Sequence, residues 1–241
     1  MKPAGNDQLR SVAAAWVLLW LLLFTVACSS DEPPPEPAAK DQEGFTFFAV
    51  GPASRYSEAL REQLSERLGP GAIETRSLIN LEVVKDGFLQ RHFPELAELN
   101  ARLNFPPGER VDHDTIKLMY RYAASRRNLP FDLVEIVFSG HNRQPLYIYI
   151  RSRKNLSEVL DSLEQKYGAP RRVESPSSNS RAIYWRDDDD LFLTAFVPTR
   201  RGEEVRMMIY YFDHLEQLAA LEEEQRRAEQ ERRDRAGKRA F

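Results

Sequence analysis

Within the six residues Glu109-Arg110-Val111-Asp112-His113-Asp114 stand three carboxylates and one imidazole, the densest titratable group beside a helix start in the chain. A histidine oriented by a carboxylate can accept a proton from water or a substrate hydroxyl. His113 with Asp112, Asp114 or Glu109 could therefore act as a general base in a hydrolase or transferase. The same residues have a purely structural reading: Asp112 or Asp114 caps a helix, and the neighbouring acids are favoured by its dipole. No Ser or Cys nucleophile motif accompanies them. The balance leans away from an enzyme and leaves the question open.

Asp187 to Asp190 form a run of carboxylates between two strands. Calcium takes oxygen ligands, but consecutive residues in a tight hairpin point in different directions, so a solvated turn is expected and no metal site. Arg171, Arg172, Arg186, Arg200 and Arg201 fall near strand ends, where they could meet anionic lipid head groups or peptidoglycan carboxylates. Tyr147, Tyr149, Trp185, Tyr210 and Tyr211 sit on strands at mixed parity, which puts aromatics on both faces of a sheet. A face left uncovered would expose an aromatic patch of the kind that marks a binding surface.

The elements that must position these groups divide near residue 130. Phe45 to Val50 reads as a short apolar strand. Tyr56 to Leu68 follows as a helix with Tyr56, Ala59, Leu60, Leu64 and Leu68 on one face, stopped by Gly69-Pro70. Pro94 opens a helix with Leu96, Leu99 and Leu103 in register, and Pro106-Pro107-Gly108 breaks it. A further helix over about Asp114 to Arg126 aligns Ile116, Met119, Tyr120 and Ala123. Residues 45–130 thus read as mainly helical.

Residues 131–221 read as mainly β. Strands are expected at 132–138, 146–150, 171–174, 181–186, 191–198 and 204–212. One helix interrupts them, capped by Asn155, with Leu156, Val159, Leu160, Leu163 and Tyr167 on one face and Gly168 at its end. At an offset of one hundred residues, Tyr56-Ser-Glu-Ala-Leu60 lies over Leu156-Ser-Glu-Val-Leu160, which suggests a duplicated strand-loop-helix unit or two helices obeying the same capping rules. The class is α+β: an antiparallel sheet with helices packed on one face. A last helix carries Leu215, Leu218 and Leu221. From Glu222 to the end it loses its apolar stripe and becomes a charged helix laced by Glu–Arg spacings of i,i+4, such as Glu229–Arg233.

The chain's lone cysteine, Cys28, follows an uncharged apolar stretch, Ser11 to Ala27, which is itself preceded by Lys2 and Arg10. That is the layout of a secretory signal, with an uncleaved membrane anchor as the alternative. With no second cysteine in the chain, an internal disulfide is excluded. Thr25-Val26-Ala27-Cys28 resembles the lipobox of bacterial lipoproteins, though Thr25 stands where leucine is usual. The resemblance implies a diacylglyceryl group on the Cys28 thiol, cleavage of residues 1–27, and acylation of the new amino terminus. Ser29, in place of Asp, implies sorting to the outer membrane, facing the periplasm. The helix ending in Tyr167-Gly168-Ala169-Pro170 before a strand meander looks like small outer-membrane lipoproteins that assist β-barrel assembly, in architecture only.

Residues 28–44 hold four prolines and five acids, too polar to fold, and read as a disordered tether. Loss of residues 1–27 leaves a net charge of about −4, which offers no field for nucleic acid. The expectation is a membrane-anchored, envelope-facing lipoprotein. It would act as a non-catalytic binding or assembly module on a protein or polymer partner and carry no cofactor beyond its lipid. The rivals are a hydrolase or transferase built on His113, and a structural spacer.

Overall fold

Eight antiparallel strands form one sheet in a computed structural model that describes residues 44–85, 87–122, 129–153, 156–175, 179–187 and 190–240. Cys28, the signal stretch and the tether lie outside the described residues, as do Asn155, Asp188 and Asp189. The strands are β1 (Ala72–Ser77), β2 (His113–Arg121), β3 (Leu133–Ser139), β4 (Pro145–Ser152), β5 (Arg171–Ser175), β6 (Ser180–Arg186), β7 (Asp190–Thr199) and β8 (Gly202–Tyr211). Their order across the sheet is β1-β2-β3-β4-β8-β7-β6-β5.

That order sets one half of the sheet as the mirror of the other, with two further helices inserted between β1 and β2 in the first half. Helix α1 (Glu58–Leu68) precedes the meander β1 to β4, and helix α4 (Ser157–Tyr167) precedes the meander β5 to β8. The halves meet along the β4–β8 seam, where Tyr147 faces Tyr210 and Ile148 faces Ile209. The two helices end alike: Gly69 at φ 84°, ψ −176° and Gly168 at φ 80°, ψ −173°, with amides that donate to Ser65 and Glu164. Few residues other than glycine adopt that backbone region. The repeated unit is therefore a helix followed by four strands, rather than strand-loop-helix. Phe45 to Val50 lies outside the sheet and turns tightly, with a single bridge between Phe47 and Val50. Its apolar character serves burial: Phe45 packs edge-on against Tyr167 and Phe192.

Helices cover both faces of the sheet, not one. On the first face α1 buries Leu64 and Leu68, and α4 lays Leu160 and Leu163 over a floor that includes Ile136, Ile148, Phe192 and Ile209. On the second face lie α2 (Phe88–His92), α3 (Pro94–Leu103) and the start of α5 (Phe212–Ala240). Leu96, Leu99, Leu103, Leu215 and Leu218 there meet Val137, Tyr147, Met208 and Tyr210. Each such side chain stabilises by about 1.5–3 kcal/mol when fully buried. The cause is written in the strands. Leu133–Ser139 and Asp190–Thr199 are apolar at both parities, as a strand covered on two sides must be.

The helix expected over Asp114 to Arg126 is instead strand β2 as far as Arg121, with residues 123–128 outside the described set. His113 and Thr115 are buried on one face, Leu118 and Tyr120 on the other. Pairing with β1 and β3 on both sides decides the conformation, and the β-branched Thr115 and Ile116 suit it. Residues 45–130 thus place two strands, β1 and β2, beside three helices among the described residues.

Candidate functional site

His113 opens β2 on the face where α5 docks. Leu215, Leu218 and Ala219 anchor that helix in the core, and Glu222, one turn after Leu218, is carried to the imidazole. Both Glu222 carboxylate oxygens lie 2.9 Å from His113 Nδ1, and the His113 side chain is 0% exposed. Donation from Nδ1–H to the carboxylate places the ring proton on Nδ1 and leaves Nε2 buried without a hydrogen-bond partner among the described residues. The other members of the expected cluster turn away, because alternation along the strand sends Asp112 and Asp114 outward. Asp112 accepts from Arg110 at 3.1 Å. Asp114 stands 4.0 Å from His141 on the surface, and Glu109 is exposed. The residues are not brought together: His113 is a fastening for α5, beyond reach of a substrate.

Tyr147, Trp185 and Tyr210 are buried, and Tyr149 is partly so, which corrects the expectation of an exposed aromatic patch. Tyr210 donates to the Leu81 carbonyl at 2.7 Å, and Trp185 Nε1 donates to the Gly168 carbonyl at 2.7 Å. Burial pushes the Tyr147 and Tyr210 phenols well above their ordinary range, so they remain neutral core groups. The aromatics hold helix to sheet because both faces are roofed. Asp187 and Asp190 close a hairpin through their own backbones, and Asp190 is buried. Among the described residues no group of three or more His, Cys, Asp or Glu side chains could hold a metal ion. The arginines do not form one patch: Arg186 binds Glu95 and lies over Phe212, while Arg200 and Arg201 stand at the opposite end of the sheet, in the β7–β8 turn.

A recess that sequence reasoning passed over lies between the exit of α3 and the charged part of α5, with a volume of about 910 Å³. Phe105 and Pro106 supply its apolar side, and Arg226, Arg227 and Arg233 line the helix opposite. Phe105 is 55% exposed, the most of any large hydrophobic side chain among the described residues. The walls are fixed by Arg102. Its Nε donates to Glu223 at 2.7 Å, its Nη1 donates to Glu216 at 2.6 Å, and its carbonyl accepts from Arg226 at 3.4 Å. The hydrogen bonds that Arg102 donates to Glu223 and Glu216 hold the guanidinium further above its usual range, and Arg102 holds the Glu223 carboxyl below its own. Glu222 and Glu223 thus serve tertiary partners rather than the i,i+4 pairs their spacing suggested, whereas Glu229–Arg233 and Glu231–Arg235 do form. The signal for the recess was present as Phe105, an aromatic residue beside a helix breaker. Its exposure depends on where α5 lies.

An apolar floor walled by arginines and by Glu98, Glu223 and Glu229, with Arg233 held by Glu229, suits an extended segment that offers an apolar side chain and polar groups beside it. Comparison of the chain with protein-family models, with curated proteins and with solved structures yields no match in any of the three.

Proposed function

We propose that the chain is a lipid-anchored protein of the bacterial cell envelope, tethered through Cys28 and acting by non-catalytic binding of a protein or polymer partner at the Phe105 recess. The lipobox resemblance at Thr25 to Cys28 and the polar tether after it support the address. The half-exposed Phe105, in a recess whose walls Arg102 braces and where arginines and glutamates alternate, supports the binding reading: an aromatic ring left bare beside polar groups offers a partner both apolar contact and hydrogen bonds. The hydrolase reading draws no support from His113, whose ring is enclosed and engaged by Glu222.

Two measurements test this. Metabolic labelling with a fatty-acid analogue tags the wild type, and Cys28→Ser loses the label and accumulates unprocessed precursor; equal labelling of both would end the lipid address. A photo-crosslinking residue at position 105, in cells, captures an envelope partner that Arg226→Glu with Arg227→Glu releases. Capture unaffected by that charge reversal would remove the recess from the proposal.

A further inference from the structure

Strand β5 ends the sheet. It bonds β6 on one side, and no described strand lies on the other. Its sequence is Arg171-Arg172-Val173-Glu174-Ser175. Laid antiparallel against a second copy of itself about Val173, it sets Arg172 opposite Glu174 twice, once on each side of the axis. Val173 then faces Val173, and Arg171 faces Ser175. Opposite charges directly across antiparallel strands stabilise the pair, and like charges oppose it. We infer that β5 is an isologous contact through which two copies of this chain join their sheets.

Three further observations favour this edge. Arg171, Arg172 and Glu174 are exposed, and Arg181, which stands opposite Glu174 within the chain, pairs with Glu203 at 3.1 Å instead. The two halves also differ here. Helix α1 buries Leu64 and Leu68 fully, whereas α4 buries no residue fully and leaves a groove of about 270 Å³ against β5 and β6, with Leu160, Ile183 and Phe196 half covered. A neighbouring strand on β5 closes the open side of that groove. The opposite edge is unsuited: β1 has a bulge between Thr75 and Ser77, and Arg76 there has φ 61°. Self-pairing of β1 about its centre would set Glu74 against Thr75 and Ile73 against Arg76. Pro170 and Pro176 flank β5 in the sequence, which confines the shared ladder to a short run and makes the association modest in strength. The contact is independent of the Phe105 recess, which involves neither β5 nor α4.

The test is sedimentation equilibrium of the full chain in non-ionic detergent. Wild type dimerises reversibly. Arg172→Glu alone and Glu174→Arg alone each weaken dimerisation about tenfold, since each converts two attractions into two repulsions. Mixed in equal amounts, the two variants recover the wild-type association as a heterodimer, in which every acid again faces a base. The mixture also controls for folding, because neither chain is altered further. A wild type that stays monomeric at every concentration, as an edge charged only to keep copies apart would, overturns the inference. So does a mixture no tighter than its components.

Discussion

Glu222 and His113 join the last helix to the second strand through both carboxylate oxygens at 2.9 Å from one ring nitrogen. The Glu222 side chain is 11% exposed, so removing it leaves a buried N–H without an acceptor. Glu222→Leu is expected to lower unfolding free energy by about 1–3 kcal/mol, while Glu222→Gln, which keeps an accepting oxygen, costs less. Urea denaturation of the two variants measures the difference. Equal midpoints for wild type and Glu222→Leu would show that the pair does not fasten α5.

Arg102 gives the α3–α5 contact a pH dependence. The hydrogen bond from Arg102 holds the Glu223 carboxyl below its ordinary value of 4.5. A carboxyl lowered on folding contributes stability that is whole above its unfolded value and is lost as pH falls through the folded one. The stability difference between wild type and Arg102→Met should therefore stay flat from neutral pH down to about pH 5 and shrink below that. Glu223 is one-third exposed, so its share is at most about 1 kcal/mol. Urea midpoints taken from pH 7 to pH 3 test this, and a difference that grows on acidification contradicts it.

Gly69 and Gly168 make matched predictions. Each holds a backbone conformation that is nearly glycine-only, and a Cβ at Gly168 meets nothing within 4 Å, so strain alone sets its cost. Gly168→Ala is expected to lose about 1–3 kcal/mol, with Gly69→Ala in the same range. Thermal melts of both variants should shift downward together; a neutral Gly168→Ala would show that the turn has another conformation available.

Phe105→Ser separates binding from folding. The ring is more than half exposed, so stability should change by no more than about 0.5 kcal/mol. Partner capture through the recess should fall all the same. A variant that unfolds would assign Phe105 to the core.

Sequence periodicity sufficed where one face of an element decides its conformation. The leucines of Pro94–Leu103 lie where a helical repeat puts them, and the meander of the second half follows from strand and turn residues. It failed at β2, because Ile116, Met119 and Tyr120 satisfy helical spacing as well as strand pairing, and only the flanking strands choose between them. The expectation of one covered face failed because apolar residues at both parities were read as spare aromatics rather than as two interiors. His113 was singled out for its neighbours in sequence, yet its partner lies 109 residues away. The recess needs two segments that share no local pattern, so composition could not announce it.

The seam between β4 and β8 places the last strand of each half against the other, with Tyr147 on Tyr210 and Ile148 on Ile209. One half alone would end in a bare margin and could heal it only by meeting another molecule, at a rate set by dilution. Carrying both halves on one polypeptide makes that encounter unimolecular. The central joint of the sheet then closes equally well at the lowest copy number.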